Sequence, residues 1–142
     1  SGVVVNLKQN NSIILSTITD IQGLYSFADF AFGQYSVEVV CNYTWGGANS
    51  TDALLILRSF VNMYSLTGIR FTAGDISGSS TLNSLDAFFV QKRFVGVIEN
   101  FPVGNWIFEK PSLNIIDNIP VIQDIKGLCA GDVNGSYVPP ME

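Results

Sequence analysis

Between Asp75 and Asp86 the chain sets oxygen side chains at positions 1, 3, 5, 9 and 12 of one twelve-residue stretch: Asp75, Ser77, Ser79, Asn83 and Asp86. A hard cation such as Ca²⁺ takes six to eight oxygens, and calcium loops supply them at 1, 3, 5, 7, 9 and 12, with position 7 giving a backbone carbonyl. Thr81 stands at position 7. Two features depart from that scheme. Position 5 is a serine rather than a carboxylate, and position 6, where such loops turn on glycine, is Ser80. The chemistry on offer is cation binding by two carboxylates and neutral oxygens.

Composition narrows the alternatives. The chain has no histidine, which removes His-based acid–base catalysis, Ser-His-Asp and Cys-His nucleophile pairs and His-rich zinc sites. Asp75 with Asp86, or Asp20 with Glu38, could be offered as glycosidase carboxylate pairs, but no other feature supports that chemistry, and no enzyme activity is expected. Lys and Arg number seven against a net charge of −5 and form no cluster, so nucleic-acid binding is not expected. No apolar run approaches the ~18 residues of a membrane span, so membrane insertion is not expected either. Apolar residues make up 47% and charged ones 13% of the 142 residues, as in a packed globular chain of one domain or two small ones. The chain starts on Ser1 without an initiating Met or a signal peptide, which suits a mature or excised piece whose targeting sequence lies elsewhere. Trp45, Trp106 and the ten Phe are read as core rather than as a carbohydrate platform. The glycosylation patterns at Asn42 and Asn49 are read as chance matches.

The elements that must position the loop follow from periodicity. Val3–Lys8 and Ser12–Thr17 read as strands joined by a turn at Asn10-Asn11, followed by a turn at Asp20–Gly23 and strands at Leu24–Phe27 and Gln34–Val40. β-Branched and aromatic runs separated by Gly and Asn about every ten residues point to a β-sandwich sheet. Past the break at Trp45-Gly46-Gly47, Asn49 or Ser50 can cap a helix with Asp52 in its first turn. Leu54, Leu57, Phe60 and Val61 fall on one face of that helix at helical spacing. The segment Asn49–Val61 then recurs 34 residues later as Asn83–Val95, with Asn, Ser, Asp, Ala, Phe and Val in register and Arg58 matched by Lys92. The loop-helix unit is therefore duplicated.

Two resemblances follow. Thr19-Asp20-Ile21-Gln22-Gly23-Leu24-Tyr25-Ser26-Phe27 with Gly33-Gln34-Tyr35-Ser36-Val37 resembles the carboxypeptidase-regulatory-like (Cna-B, prealbumin-like) β-sandwich over residues 1–40. Members of that family open with an earlier strand not seen here. The resemblance thus implies an unpaired sheet edge able to accept a strand from a neighbour. The duplicated unit resembles the dockerin type I fold, two calcium-loop–helix units packed as a pseudo-twofold pair, over residues 41–142. Asn49–Arg58 carries its motif, and Asp75–Asp86 matches its loop at positions 1, 9, 10 and 12. The order of these marks, through Gly127-Leu128-Cys129-Ala130-Gly131-Asp132-Val133-Asn134-Gly135-Ser136, resembles a repeat of secreted Bacteroidetes-type surface proteins.

The resemblance carries a further expectation. Counting back from Asp52 puts Cys41, Tyr43 and Trp45 at positions 1, 3 and 5 of the first unit, none of them a calcium ligand. Asp132, Asn134 and Ser136, with the Val138 carbonyl, form the front half of a dockerin loop, while Asn49 and Asp52 form a back half. A split second site is expected, in which the C-terminal segment returns to the first helix. That return would bring Cys41 towards Cys129; a disulfide or two buried thiols would then both be consistent. The fold class expected is α+β: a β-sandwich segment followed by a two-helix calcium-loop module. The role expected is a non-catalytic, calcium-stabilised extracellular or cell-surface assembly module, filament-forming by strand addition. The alternatives are a recognition module for a cohesin-like receptor and an accessory domain of a secreted hydrolase.

Overall fold

A computed structural model describes residues 1–140. It is a mixed α+β chain with antiparallel sheets and three helices, in the order β1 (Val4–Gln9), β2 (Ser12–Ile18), β3 (Gly33–Val40), α1 (Ser50–Phe60), α2 (Ile69–Gly74), α3 (Ser84–Phe94), β4 (Trp106–Phe108), β5 (Ser112–Ile115) and β6 (Gly127–Cys129). It divides into two compact units. Ser1–Tyr43 and Phe108–Ile125 belong to the first; Thr44–Ile107 and Lys126–Pro139 form the second. The sequence places all of 41–142 in one module. The structure instead sends Phe108–Ile125 to the first unit, because β5 adds to the free side of β3 there.

The first unit is an antiparallel sheet in the order β2-β1-β3-β5. Asn10 and Asn11 both adopt positive φ, 50° and 63°, the backbone that a two-residue hairpin of right-handed twist requires and that Asn tolerates. Side chains alternate across the sheet. Val5, Leu7, Tyr35 and Val37 bury on one face, joined by Leu15, Leu113 and Ile115 from the flanking strands. That face is covered by two stretches outside any strand, through Tyr25, Phe27 and Phe30 and through Ile125. The strand expected at Leu24–Phe27 is absent from the ladders, although Tyr25 and Phe27 turn inward and Leu24 and Ser26 outward, the strand period without a strand partner.

The second unit is built around α1 and α3. Ala53 and Ile56 of α1 match Ala87 and Val90 of α3, and all four are at most 2% exposed. Alanine at the paired positions lets two helices approach closely. The buried face differs from the one expected: Leu54, Phe60 and Val61 are 50–55% exposed. The capping box sets the phase. Asp52 must turn inward to reach the Asn49 N–H, and Ile56, one turn on, faces the same way. β4 and β6 form a two-stranded sheet, and α2 is an element the sequence reading did not anticipate.

No described helix is long and apolar enough to cross a membrane. Cys41 is half-buried and Cys129 buried, and no disulfide joins the two in this structure. Burial raises the Cys41 thiol above its ordinary value.

Leu7 is 1% exposed at the centre of the sheet's buried face. Leu7→Ala is expected to cost about 2–5 kcal/mol, measured by urea unfolding; a loss under 1 kcal/mol would place the core of this unit elsewhere.

Candidate functional site

The two long helices, α1 and α3, begin with the same local device. Asn83 caps α3, its Oδ1 accepting from the Leu85 N–H at 2.8 Å, while Asp86 reaches back to the Asn83 N–H at 2.9 Å. Asn49 caps α1 in the same way, accepting from the Thr51 N–H at 2.8 Å, and Asp52 accepts from the Asn49 N–H at 3.0 Å. The two asparagines, expected as position-9 ligands, thus have an oxygen committed to satisfying the helix N-terminus.

Each aspartate of the box has a second oxygen facing a loop. Asp86 accepts from the Ser77 N–H at 2.9 Å. Asp52 accepts from the Asn134 N–H at 3.1 Å, across 82 residues of chain. The remaining loop contacts repeat position by position. Asp75 accepts from the Ser79 N–H at 2.9 Å and the Ser80 N–H at 2.7 Å. Asp132 accepts from the Ser136 N–H at 3.0 Å and the Tyr137 N–H at 2.9 Å. Ser79 and Ser136 also turn their hydroxyls towards these aspartates, at 3.5 and 3.3 Å. Gly78 and Gly135 have φ of 71° and 70°, and both N–H groups donate back to the carbonyl of position 1 at 3.3 Å. Ile76 and Val133, at position 2 of each loop, are fully buried in the core between the helices. The front half Asp132–Ser136 and the back half Asn49–Asp52 are therefore brought together with the hydrogen-bond pattern of the contiguous loop.

What seats the returning segment is legible in two glycines. A Cβ on Gly47 would stand 2.5 Å from Asp132 Oδ2, and one on Gly46 would stand 2.5 Å from the Tyr137 ring. Only glycine lets the backbone approach so closely. The Trp45 indole N–H donates to the Ala130 carbonyl at 2.8 Å. Gly131 N–H donates to the Ala73 carbonyl at 2.8 Å, tying the returning segment to α2. Arg93, 9% exposed, stacks 3.5 Å from the Trp45 ring and 4.6 Å from Phe101, and donates to Asn105 Oδ1 at 2.8 Å. Burial lowers its guanidinium from the ordinary value. Arg93 and Asn105 escaped the sequence reading, because nothing in their spacing marks a buried pair.

The electrostatics of the two loops are unusual. Asp52, Asp86 and Asp132 are at most 1% exposed and Asp75 is 8% exposed. The donors to these four carboxylates are backbone N–H groups and serine hydroxyls. Burial raises the Asp52 carboxyl above its ordinary range; the N–H groups of Asn134 and Asn49 oppose that, and the nearby charge of Asp132 adds to it. Two buried anions close together without a cation form an incomplete electrostatic set. A hard divalent cation fits it, since the main-chain N–H bonds leave each carboxylate oxygen a lone pair, and the serine hydroxyls that share the Oδ1 atoms of Asp75 and Asp132 can turn their own oxygens to the ion. Asp75, Ser77, Ser79, the Thr81 carbonyl and Asp86 could hold one ion; Asp132, Asn134, Ser136, the Val138 carbonyl and Asp52 could hold another. Among the described residues no group of three or more His, Cys, Asp or Glu gathers, so each set rests on two carboxylates and neutral oxygens.

Searches against family models, characterised proteins and solved structures found no match for this chain.

Ser80 sits at φ 64°, the left-handed backbone that glycine adopts without strain. Ser80→Gly is expected to stabilise the chain by up to about 1 kcal/mol, read from the urea midpoint; destabilisation would mean that the hydroxyl makes a contact worth more than the strain. Asp52 gives a pH dependence. Its folded-state value is raised, so the native chain holds that proton more tightly than the unfolded one. Its contribution is fully present below the usual carboxylate range near pH 4 and is lost as pH rises through the raised value. In chelator, the melting-temperature difference between the wild type and Asp52→Asn should therefore shift against the wild type as pH rises from 4 to 7. A flat difference would show that Asp52 is not perturbed.

Proposed function

We propose that the chain is a non-catalytic, secreted module of an extracellular or cell-surface assembly, held closed by Ca²⁺ at two loops. The observation that carries this reading is the matched pair Asp75/Asp86 and Asp132/Asp52: buried carboxylates in the same hydrogen-bond pattern, one pair within a continuous loop and the other across 82 residues. A cation between the members of each pair neutralises their repulsion, and its binding energy becomes folding stability. With two carboxylates in each set, affinity belongs at the weak end, about 10⁻⁴–10⁻³ M, where extracellular modules work. Extracellular calcium is plentiful enough for such sites. The dockerin-like and sandwich-like assignments of the two units belong to this proposal.

In that reading the first unit makes the assembly contacts by accepting a strand. Its edge strand β2 carries Ser12-Ile13-Ile14-Leu15-Ser16-Thr17-Ile18, with Ile13, Ile14 and Ile18 47–64% exposed. It has no Lys, Glu or Pro to discourage pairing.

A second reading has its own observation. Leu54, Phe60 and Val61 of the first helical segment are exposed, and so are their counterparts Phe88, Phe94 and Val95. Two like apolar faces suit a recognition module that docks a cohesin-like receptor.

Isothermal titration of the metal-free chain with Ca²⁺ is expected to count two ions. Asp86→Ala and Asp132→Ala should each remove one, and Asp132→Ala should also lower the melting temperature in calcium. A count of zero, or a count that Asp132→Ala leaves unchanged, would sink the two-site reading. Sedimentation then separates the roles: an assembly module multimerises or takes up an added strand, whereas an adaptor stays a monomer in both conditions.

A further inference from the structure

The two units differ in charge. Ser1–Tyr43 with Phe108–Ile125 carries two basic side chains, Lys8 and Lys110, against six acidic ones, a net of −4. Thr44–Ile107 with Lys126–Pro139 carries five of each and is neutral. Four of its five acids are the loop carboxylates Asp52, Asp75, Asp86 and Asp132, all buried, while four of its five bases lie outside the core, Arg93 being the buried one. A divalent ion at each of the two loops brings this unit to +4. The ion-loaded chain thus has one unit of each sign, equal in size.

Each unit also has an exposed apolar surface of matching character. On α3, Leu85, Phe88 and Val95 are 48–67% exposed. With Lys92 between them they stand at i, i+3, i+7 and i+10 along one side of the helix, turned away from the core that Ala87 and Val90 enter. Lys92 Nζ lies 4.8 Å from the Phe88 ring centroid, so the stripe is apolar with a cation in its middle. Leu54, Arg58 and Val61 give α1 a shorter copy of it. On the first unit, Leu24, Phe32, Ile119 and Ile122 are 58–92% exposed. They border one concave surface together with Asp29, Asp117 and Asp124, and among the described residues no Lys or Arg borders it. Exposed apolar patches of this kind mark contact surfaces.

Charge chooses the occupant. Two α3 stripes brought together would oppose lysine to lysine, and two first-unit surfaces would oppose aspartates to aspartates. The unlike surfaces match in apolar content and in sign. We infer that the α3 stripe docks on the acidic apolar surface of a second copy's first unit, and that calcium loading turns this contact on by making the second unit cationic. The contact is head-to-tail, so it propagates from copy to copy unless the rotation closes a ring. It rests on the two-ion reading proposed above for its charge and is separate from strand addition at β2.

The test is sedimentation of the full chain over a range of concentrations, in calcium and in chelator, beside a calorimetric count of bound ions. In calcium the chain should self-associate, and raising NaCl from 0.05 to 0.5 M should weaken the association about tenfold. Lys92→Glu alone, and the Asp117→Lys, Asp124→Lys pair alone, should each weaken it at least about fivefold. Combining all three substitutions restores opposite signs and should recover most of the loss, with two ions still bound in every variant. A chain that binds two ions yet stays monomeric up to about 1 mM overturns the inference and leaves the two-site reading standing. So does a monomer whose α3 stripe takes up a cohesin-like receptor instead. Association that neither charge reversal weakens, or that the triple variant fails to recover, overturns the contact; amide protection confined to Ser12–Ile18 would then place assembly at the β2 edge. Equal association in calcium and chelator overturns the calcium control, and a count of zero ions fails the two-site reading itself.

Discussion

The interaction on which the second unit depends is the capping-box aspartate at the start of each long helix. Asp52 and Asp86 each satisfy an orphan N–H of their own helix with one oxygen and hold a loop with the other. That double use has two consequences. It fixes the rotation of the helix, which buries Ala53 and Ile56 or Ala87 and Val90, and it fixes the position of a loop that carries a second buried carboxylate. A charged group so placed is costly without compensation, since burial disfavours the ionised form. Helix phase, core composition and the case for a cation all follow from one residue type at the third helical position.

The split loop is a problem of chain connectivity solved by packing. A contiguous loop holds its front and back halves together through a few intervening residues. The divided one loses that and needs other contacts: Val133 and Ala130 in the core, the Trp45 indole on the Ala130 carbonyl, the Gly131–Ala73 hydrogen bond, and glycines at 46 and 47 that admit Asp132 and Tyr137 at close range. Burial of small apolar side chains and a few hydrogen bonds hold the segment, while charge opposes it. A cation reverses the sign of that last contribution. The C-terminal segment is therefore where ion binding and folding are most directly coupled.

What could be read from the sequence divides along physical lines. The strands β1 to β3, the Asn10-Asn11 hairpin and the two capped helices follow from local signals of alternation, turn residues and capping chemistry, and they are found close to the expected places. The assembly of Asn49 and Asp52 with Asp132–Ser136 was legible because the duplication supplied a template to compare against. The misses are non-local. β5 joins β3 by a pairing that no local pattern in Ser112–Ile115 announces. The buried face of α1 was misjudged because large apolar side chains were weighted over alanine, although alanine is what a close helix approach admits. α2 is six residues long, too short for a periodic signal.

Leu24–Phe27 sharpens this point. Its residue types and alternation specify a strand, and the structure extends it over the sheet with that alternation intact but without a ladder. Sequence pattern reports which face of a segment is apolar; it does not report whether a partner for the main chain exists in the same molecule. Where the two disagree, the side chains pack on the sheet and the main chain joins no ladder. Tyr25 shows what replaces the ladder: its ring packs on the sheet and its hydroxyl reaches the Gln123 carbonyl at 2.6 Å, so a side chain rather than a strand partner ties this segment to the Asp117–Ile125 stretch.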